Sequence, residues 1–284
     1  MNAKTLYNEI KQRLQDMQVH DPAYEARCLL EDILSIKWMD IIAGSNVDVS
    51  NEALRKCDVI LDERATGKPL TRILGVREFW GLNFTLNDDT LDPRPETEIL
   101  VEKALSFITE AGLLAPNILD LGTGTGCIPI TLLHEKKSAR ATAVDLSEKA
   151  LEAAMHNAKY HGVDDRLTCV QSNWCDNVQG QFDVLVSNPP YIDTSDITNL
   201  SREVKNHDPI LALDGGENGV APYEIIFSQI KNVLKPAGRA FLEIGQGQCG
   251  YIQGIAEKYR IRILNIYPDY AGIPRVVEIS CGDK

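Results

Sequence analysis

The spacing of apolar positions divides the chain into two kinds of region. "TLYNEIKQRLQDM" sets Leu6, Ile10, Leu14 and Met17 on one stripe at helical period. "DPAYEARCLLEDIL" opens with Asp21 in the N-cap position and Pro22 at the first helical position, where a missing N–H is not needed. "SNEALRKCDVILDERATG" starts on Ser50 as a cap and ends at Gly67. These segments predict a small helical domain over residues 1–70. "REFWGLNFTLN" alternates apolar and polar positions about Gly81. It predicts a short hairpin, and residues 71–94 are expected to form a hairpin linker.

From residue 95 to 284 helical and strand patterns alternate. "PETEILVEKALSFITEAG", "IPITLLHEKK", "SEKALEAAMHNAKYHG", "APYEIIFSQIKNVLKPAG" and "QCGYIQGIAEKY" read as helices. "NILDLG", "RATAVDLS", "RLTCVQS", "FDVLVSN", "RAFLEIG", "RILNIY" and "RVVEIS" read as strands. Strands separated by helices predict a parallel, doubly wound α/β sheet. Such sheets bind ligands at the carboxyl ends of their strands.

Composition adds exclusions. At roughly 150 residues per domain, 284 residues suit two domains. No apolar run approaches the ~18 residues of a membrane span, and the first twenty residues lack the apolar core of a signal peptide. A cytoplasmic protein without a membrane partner is expected. The seven cysteines form no CxxC pair, so buried, reduced thiols are expected, without a zinc site or disulfide framework. A net charge of −12 argues mildly against a long phosphate backbone as partner, leaves room for a local basic patch, and reads first as plain solubility charge.

"ILDLGTGTGC" is a strand-to-helix turn with glycines at 122, 124 and 126. Glycines there allow tight bending and close approach of a ligand. The dinucleotide fingerprint would need glycine where Cys127 stands. The spacing resembles instead the first motif of S-adenosylmethionine-dependent methyltransferases. Asp145, at the end of the next strand, is placed either to accept the ribose hydroxyls or to cap the helix near Ser147. Asn173 and Trp174 follow the third strand. The tryptophan suits packing on adenine, or alternatively a core aromatic under a loop.

The fourth strand ends in "VSNPPYID". Two prolines fix two backbone angles and remove two donors. An –NH2 conjugated with a carbonyl or aromatic ring is a poor nucleophile. The Asn188 side-chain oxygen and a carbonyl of the Pro189–Pro190 pair can each accept one of its N–H groups. That aligns the nitrogen and stabilises the positive charge it develops. Tyr191 offers a flat face to the planar group. The bland alternative is a stiff loop without chemistry.

N-P-P-Y is shared by methyltransferases of adenine, cytosine, guanine and glutamine amides. "PLTRILGVREFWGLNF", "DPRPETEILVEKAL", "ALDGGENG", "LEIG" and "AGIPRVVE" together resemble the release factor glutamine methyltransferases, from about residue 60 to the C-terminus. The resemblance implies a class I S-adenosylmethionine-dependent methyltransferase domain over 95–284. Its Rossmann-like, mostly parallel seven-stranded sheet would carry helices on both faces, with a helical N-terminal recognition domain. It assigns cofactor contacts to Gly122, Thr123, Gly124, Thr125, Gly126, Asp145, Asn173, Trp174 and Asn188, with S-adenosylhomocysteine as product. Catalysis and amide binding fall to Asn188, Pro189, Pro190 and Tyr191, with Arg94 and Glu96 beside them and no metal. The implied substrate is the glutamine of the Gly-Gly-Gln motif in class 1 peptide chain release factors, methylated on the side-chain nitrogen by a monomeric enzyme. Arg94, Glu96 and Glu98 read equally as a helix start with acidic residues near its dipole. Asp92 departs from the family's usual apolar residue, a change expected to affect packing, and Asn173 replaces the commoner aspartate. The competing readings are methylation of a ribosomal-protein glutamine, methylation of an exocyclic base amine, and a non-catalytic module. A base methyltransferase would need a basic target-binding segment, and the N-terminal helices are not Lys/Arg-rich.

Overall fold

Asn2 caps the first helix by accepting from the Thr5 N–H. The computed structural model describes residues 1–43 and 47–282, and the chain divides into two units, Met1–Gly75 and Val76–Lys284. In the first unit the helices are α1 (Ala3–Asp16), α2 (Pro22–Leu34), α3 (Trp38–Ile42), α4 (Asn51–Ala65) and α5 (Leu70–Leu74). Leu6, Ile10 and Leu14 are buried, as their stripe requires, and meet Leu29, Leu30 and Leu61 in one core. Met17, the fourth residue of the stripe, is the helix C-cap and only half-buried. Asp21 caps α2 and Ser50 caps α4, each through a side-chain oxygen. The buried Arg64 grips Glu25 with two hydrogen bonds, at 2.8 and 3.2 Å, tying α4 to α2.

The second unit opens with a hairpin, β1 (Val76–Phe79) and β2 (Leu82–Thr85). Trp80 and Gly81 both have positive φ, 56° and 72°. A two-residue turn with both central residues left-handed matches the twist of the flanking strands. Phe79 and Phe84 lie fully inside the core of the second unit. The hairpin expected to serve as a linker is therefore part of that unit. Asp92 is buried and sits 3.6 Å from the Arg77 guanidinium of β1, an ion pair and not a packing substitution alone.

The remaining elements are α6 (Thr97–Glu110), β3 (Asn117–Leu121), α7 (Cys127–Glu135), β4 (Arg140–Asp145), α8 (Glu148–Tyr160), β5 (Leu167–Gln171), β6 (Phe182–Ser187), α9 (Arg202–His207), α10 (Ala221–Val233), β7 (Leu234–Glu243), α11 (Cys249–Tyr259), β8 (Arg262–Pro268) and β9 (Pro274–Ser280). The main sheet has seven strands in the order β5-β4-β3-β6-β7-β9-β8. Strands β3 to β7 pair in parallel; β9 inserts antiparallel between β7 and β8. Successive strand residues face opposite sides, as a period of two demands. Ile118, Val184 and Phe241 enter the core with α6 and α7. Leu119, Leu185 and Leu242 enter the core with α10 and α11. The chain moves outward through β3, β4 and β5, then returns to the opposite flank of β3 with β6. That reversal opens a crevice beyond the carboxyl ends of β3 and β6.

All seven cysteines are free; Cys57, Cys127 and Cys175 are buried and the other four half-buried. Among the described residues no helix is long and apolar enough to cross a membrane.

Candidate active site

The glycine loop leaves β3 with the Gly122 and Thr123 N–H groups both on the Val144 carbonyl at 2.8 Å, fixing it against β4. Asp145, at the tip of β4, accepts from the Gly124 N–H and the Ser147 N–H, each at 2.9 Å. Ser147 itself is the N-cap of α8. Asp145 thus braces the glycine loop while lining the cavity beside it. Burial pushes its carboxyl up, and the Gly124 and Ser147 N–H groups pull it back. Gly126 (φ 78°) caps α7, and a Cβ there would fall 2.8 Å from Ile130 Cδ1 and 3.1 Å from Ala154 Cβ. Beneath the loop, Asp120 is fully buried with neither carboxylate oxygen hydrogen-bonded. Burial drives its carboxyl up to about 7, with Thr123 acting in the opposite sense.

Two cavities meet at the crevice. The first is lined by Gly122 to Thr125, Asp145, Asn173, Trp174, Asn188 and Pro190. Trp174 has φ 52°, an uncommon conformation for a bulky residue, and its ring edge faces Gly122. Asn173 is exposed at the rim, so the sequence-predicted cofactor residues converge on one hollow, Gly126 excepted. Gly126 serves helix packing instead. Among the described residues, the charged ones lining this hollow are Asp89, Asp145 and Asp214, without lysine or arginine. Such a lining suits a cationic nucleoside and disfavours a pyrophosphate cofactor, which calls for donors or positive charge. The sulfonium and ammonium groups of S-adenosylmethionine fit it.

The second cavity is lined by Arg94, Glu96, Pro189, Tyr191 and Arg275, with Leu200 and Val204 closing it. Arg94 reaches Asp208 at 2.6 Å. Asn188, Leu91 and Ala212 line both cavities. Glu98 lies in the first turn of α6, as the dipole reading expects, and also accepts from the Trp80 N–H at 2.8 Å.

Under the NPPY loop runs a polar chain that sequence reasoning did not single out. Asn188 Nδ2 donates to Thr97 Oγ1 (3.0 Å), and Thr97 Oγ1 donates to Glu243 Oε2 (2.7 Å). Glu243 Oε1 accepts from the Tyr191 hydroxyl at 3.4 Å. Burial pushes the Glu243 carboxyl up to about 7, and Thr97 and Arg275 hold it back. Burial and the Glu243 charge together raise the Tyr191 phenol. Gln248 clamps the loop from the other side: its Nε2 shares two N–H groups among the carbonyls of Tyr191 (2.9 Å), Asn218 (3.0 Å) and Gly219 (3.0 Å). A Cβ on Gly215 would come within 2.8 Å of the Pro190 carbonyl, and one on Gly219 would strike that of Tyr191. "GGENG" is glycine-rich because it packs on this loop. The available signal was a charged residue inside the apolar strand "FLEIG", since a buried glutamate needs partners.

The fold and the cavity at the strand ends define an S-adenosylmethionine-dependent methyltransferase. The sequence profile of the methyltransferase small domain matches residues 94–216, and that of the PrmC N-terminal domain matches residues 5–75. The release factor glutamine methyltransferase of Agrobacterium fabrum is 40% identical, covering 94% of this chain and 93% of its own. Its namesake in Bradyrhizobium diazoefficiens is also 40% identical, with 93% and 90% covered. The chain belongs to the release factor glutamine methyltransferase family. Among solved structures, a methyltransferase from Pyrococcus furiosus superposes with a TM-score of 0.54 at 16% identity, covering 81% of this chain and all of that one. That likeness speaks for the fold alone.

Proposed function

We propose that this enzyme transfers a methyl group from S-adenosylmethionine to the side-chain nitrogen of the glutamine in the Gly-Gly-Gln motif of class 1 release factors. The observation that carries the reading is the position of Asn188, which lines both cavities at once. The cofactor, bound in the first cavity, supplies a methyl group on a positively charged sulfur. The acceptor amide enters from the second, between Tyr191 and the Arg94–Glu96 segment. Asn188 Oδ1 takes one N–H of that amide. Pro190 lines the first cavity and Pro189 the second, and the Tyr191 carbonyl is taken by Gln248. This leaves the Pro189 carbonyl for the second N–H. On taking the methyl group from the sulfonium, the amide nitrogen would gain positive charge next to these two fixed acceptors and would then lose its proton to solvent. Both acceptors sit on a rigid, clamped loop, so little reorganisation remains for the reacting step.

The helical unit Met1–Gly75 is assigned to docking the release factor away from its glutamine. The enzyme is read as a monomer of the cytoplasm without a nucleic-acid substrate, in keeping with its negative charge.

The test offers labelled S-adenosylmethionine with a class 1 release factor, the same factor with its motif glutamine changed to alanine, DNA, or RNA. Label is expected on the intact factor alone. Label on nucleic acid, or undiminished label on the glutamine-less factor, overturns the reading.

A further inference from the structure

An asparagine carboxamide presents oxygen on one side and an NH2 group on the other, and the two sides have nearly the same shape. At a methyl-transfer site the difference decides the reaction. The oxygen accepts a substrate N–H, whereas a flipped amide would push an NH2 group against another NH2 group. Packing alone cannot choose between the two rotamers. Something polar must read the amide, and the chain under the NPPY loop does so.

We infer that Thr97 and Glu243 are positioning residues that set the direction of the Asn188 carboxamide. The inference rests on the proposed role of Asn188 in the function above. Glu243 lies at the buried end of β7, 1% exposed, and two hydroxyls, of Thr97 and Tyr191, point at its two oxygens. An ionised carboxylate only accepts. Its contact with Thr97 therefore consumes the single hydroxyl proton of that residue. Thr97 Oγ1 has then only lone pairs left for Asn188, so it accepts from Nδ2, at 3.0 Å. The Asn188 oxygen is thereby turned to the opposite side of the amide. Charge on Glu243 sets a polarity that passes through one hydroxyl to the catalytic amide. Arg275 and Glu96 bear on Glu243 with opposite signs, and Tyr223 donates to its backbone carbonyl at 2.7 Å. Thr97 is 2% exposed. Its hydroxyl is thus largely shielded from water, which would otherwise offer both a donor and an acceptor and erase the polarity.

The reading also explains why threonine stands in "RPETE" and glutamate in "LEIG". The two motifs lie far apart in sequence and meet at one oxygen pair.

The test is a double-mutant cycle on the full chain at pH 8, with a class 1 release factor as acceptor. Thr97→Val keeps the shape and removes the relay. Its kcat is expected to fall about 30-fold or more, towards the ~10²–10³ seen when a fixed transition-state contact is lost, with a much smaller change in S-adenosylmethionine affinity, although Thr97 also lines the first cavity. Thr97→Ser, which restores the hydroxyl, is expected to return kcat to within about threefold of the parent. On an Asn188→Ala background, Thr97→Val is expected to add nothing, because the amide it directs is gone. A Thr97→Val kcat equal to the parent's, or an undiminished further loss on the Asn188→Ala background, overturns the inference. Parent enzyme that leaves the release factor unlabelled overturns the proposed function instead, so the two failures are distinct.

Discussion

A carboxyl group shut away from water in a protein interior is costly when ionised. Asp120 is such a group, and its folded carboxyl keeps its proton up to about 7 against an ordinary 3.8. Between those values the folded chain binds more protons than the unfolded one. The associated stability is therefore fully present below about pH 4 and is lost as pH rises through about 7. At about 1.4 kcal/mol per pKa unit, the effect is on the order of 4 kcal/mol. Glu243 titrates over a similar window, from 4.5 to about 7. Asp120→Asn removes the charge and keeps the shape, so it is expected to flatten the fall in stability between pH 4 and pH 8 to the share that the other raised carboxyls, Glu243 and Asp145, contribute. Thermal unfolding of the cofactor-free protein at both pH values checks this. A difference between variant and parent that is the same at pH 4 and pH 8 would count against it.

At the scale of elements, the glycine loop separates two demands that the sequence merges. Gly126 and Gly124 both have positive φ, 78° and 53°. A Cβ on Gly126 runs into α7 and α8, whereas one on Gly124 meets nothing within 4 Å and stands in a residue lining the first cavity. Gly126→Ala is expected to cost roughly 1–3 kcal/mol of stability, as overpacking does. Gly124→Ala is expected to cost less stability and more cofactor affinity. Melting temperature and calorimetric titration with S-adenosylmethionine separate them; the reverse ranking would refute the assignment. Long elements with a clear period were legible beforehand. The α1 stripe, the caps Asp21 and Ser50 and the seven strands follow from local rules. The five-residue helices α3 and α5 were not, because so short a run carries no period. The relay was illegible for another reason: Thr97, Asn188 and Glu243 come from three separate elements, and only the sheet brings them together. "RPETE" read as a helix start because that local role is real and hid the second one.

For the whole molecule, the two units have separate hydrophobic cores. One is built from residues of α1 to α5 and the segment between α3 and α4, the other two from the hairpin and the sheet with its covering helices. Each core closes within its own unit, so the unit from Val76 onward is expected to fold and bind S-adenosylmethionine without residues 1–75. The chemistry is assigned entirely to that unit, and recognition of the folded release factor partly to the other. Removing residues 1–75 is therefore expected to leave methylation of a short Gly-Gly-Gln peptide near its parental rate. KM for the intact factor should rise at least about tenfold, the loss of about 1.4 kcal/mol of binding. Steady-state kinetics on the two acceptors tests the division of labour. Equal losses on peptide and intact factor would mean that the helical unit supports the site itself; no loss on either would mean that it takes no part in recognition.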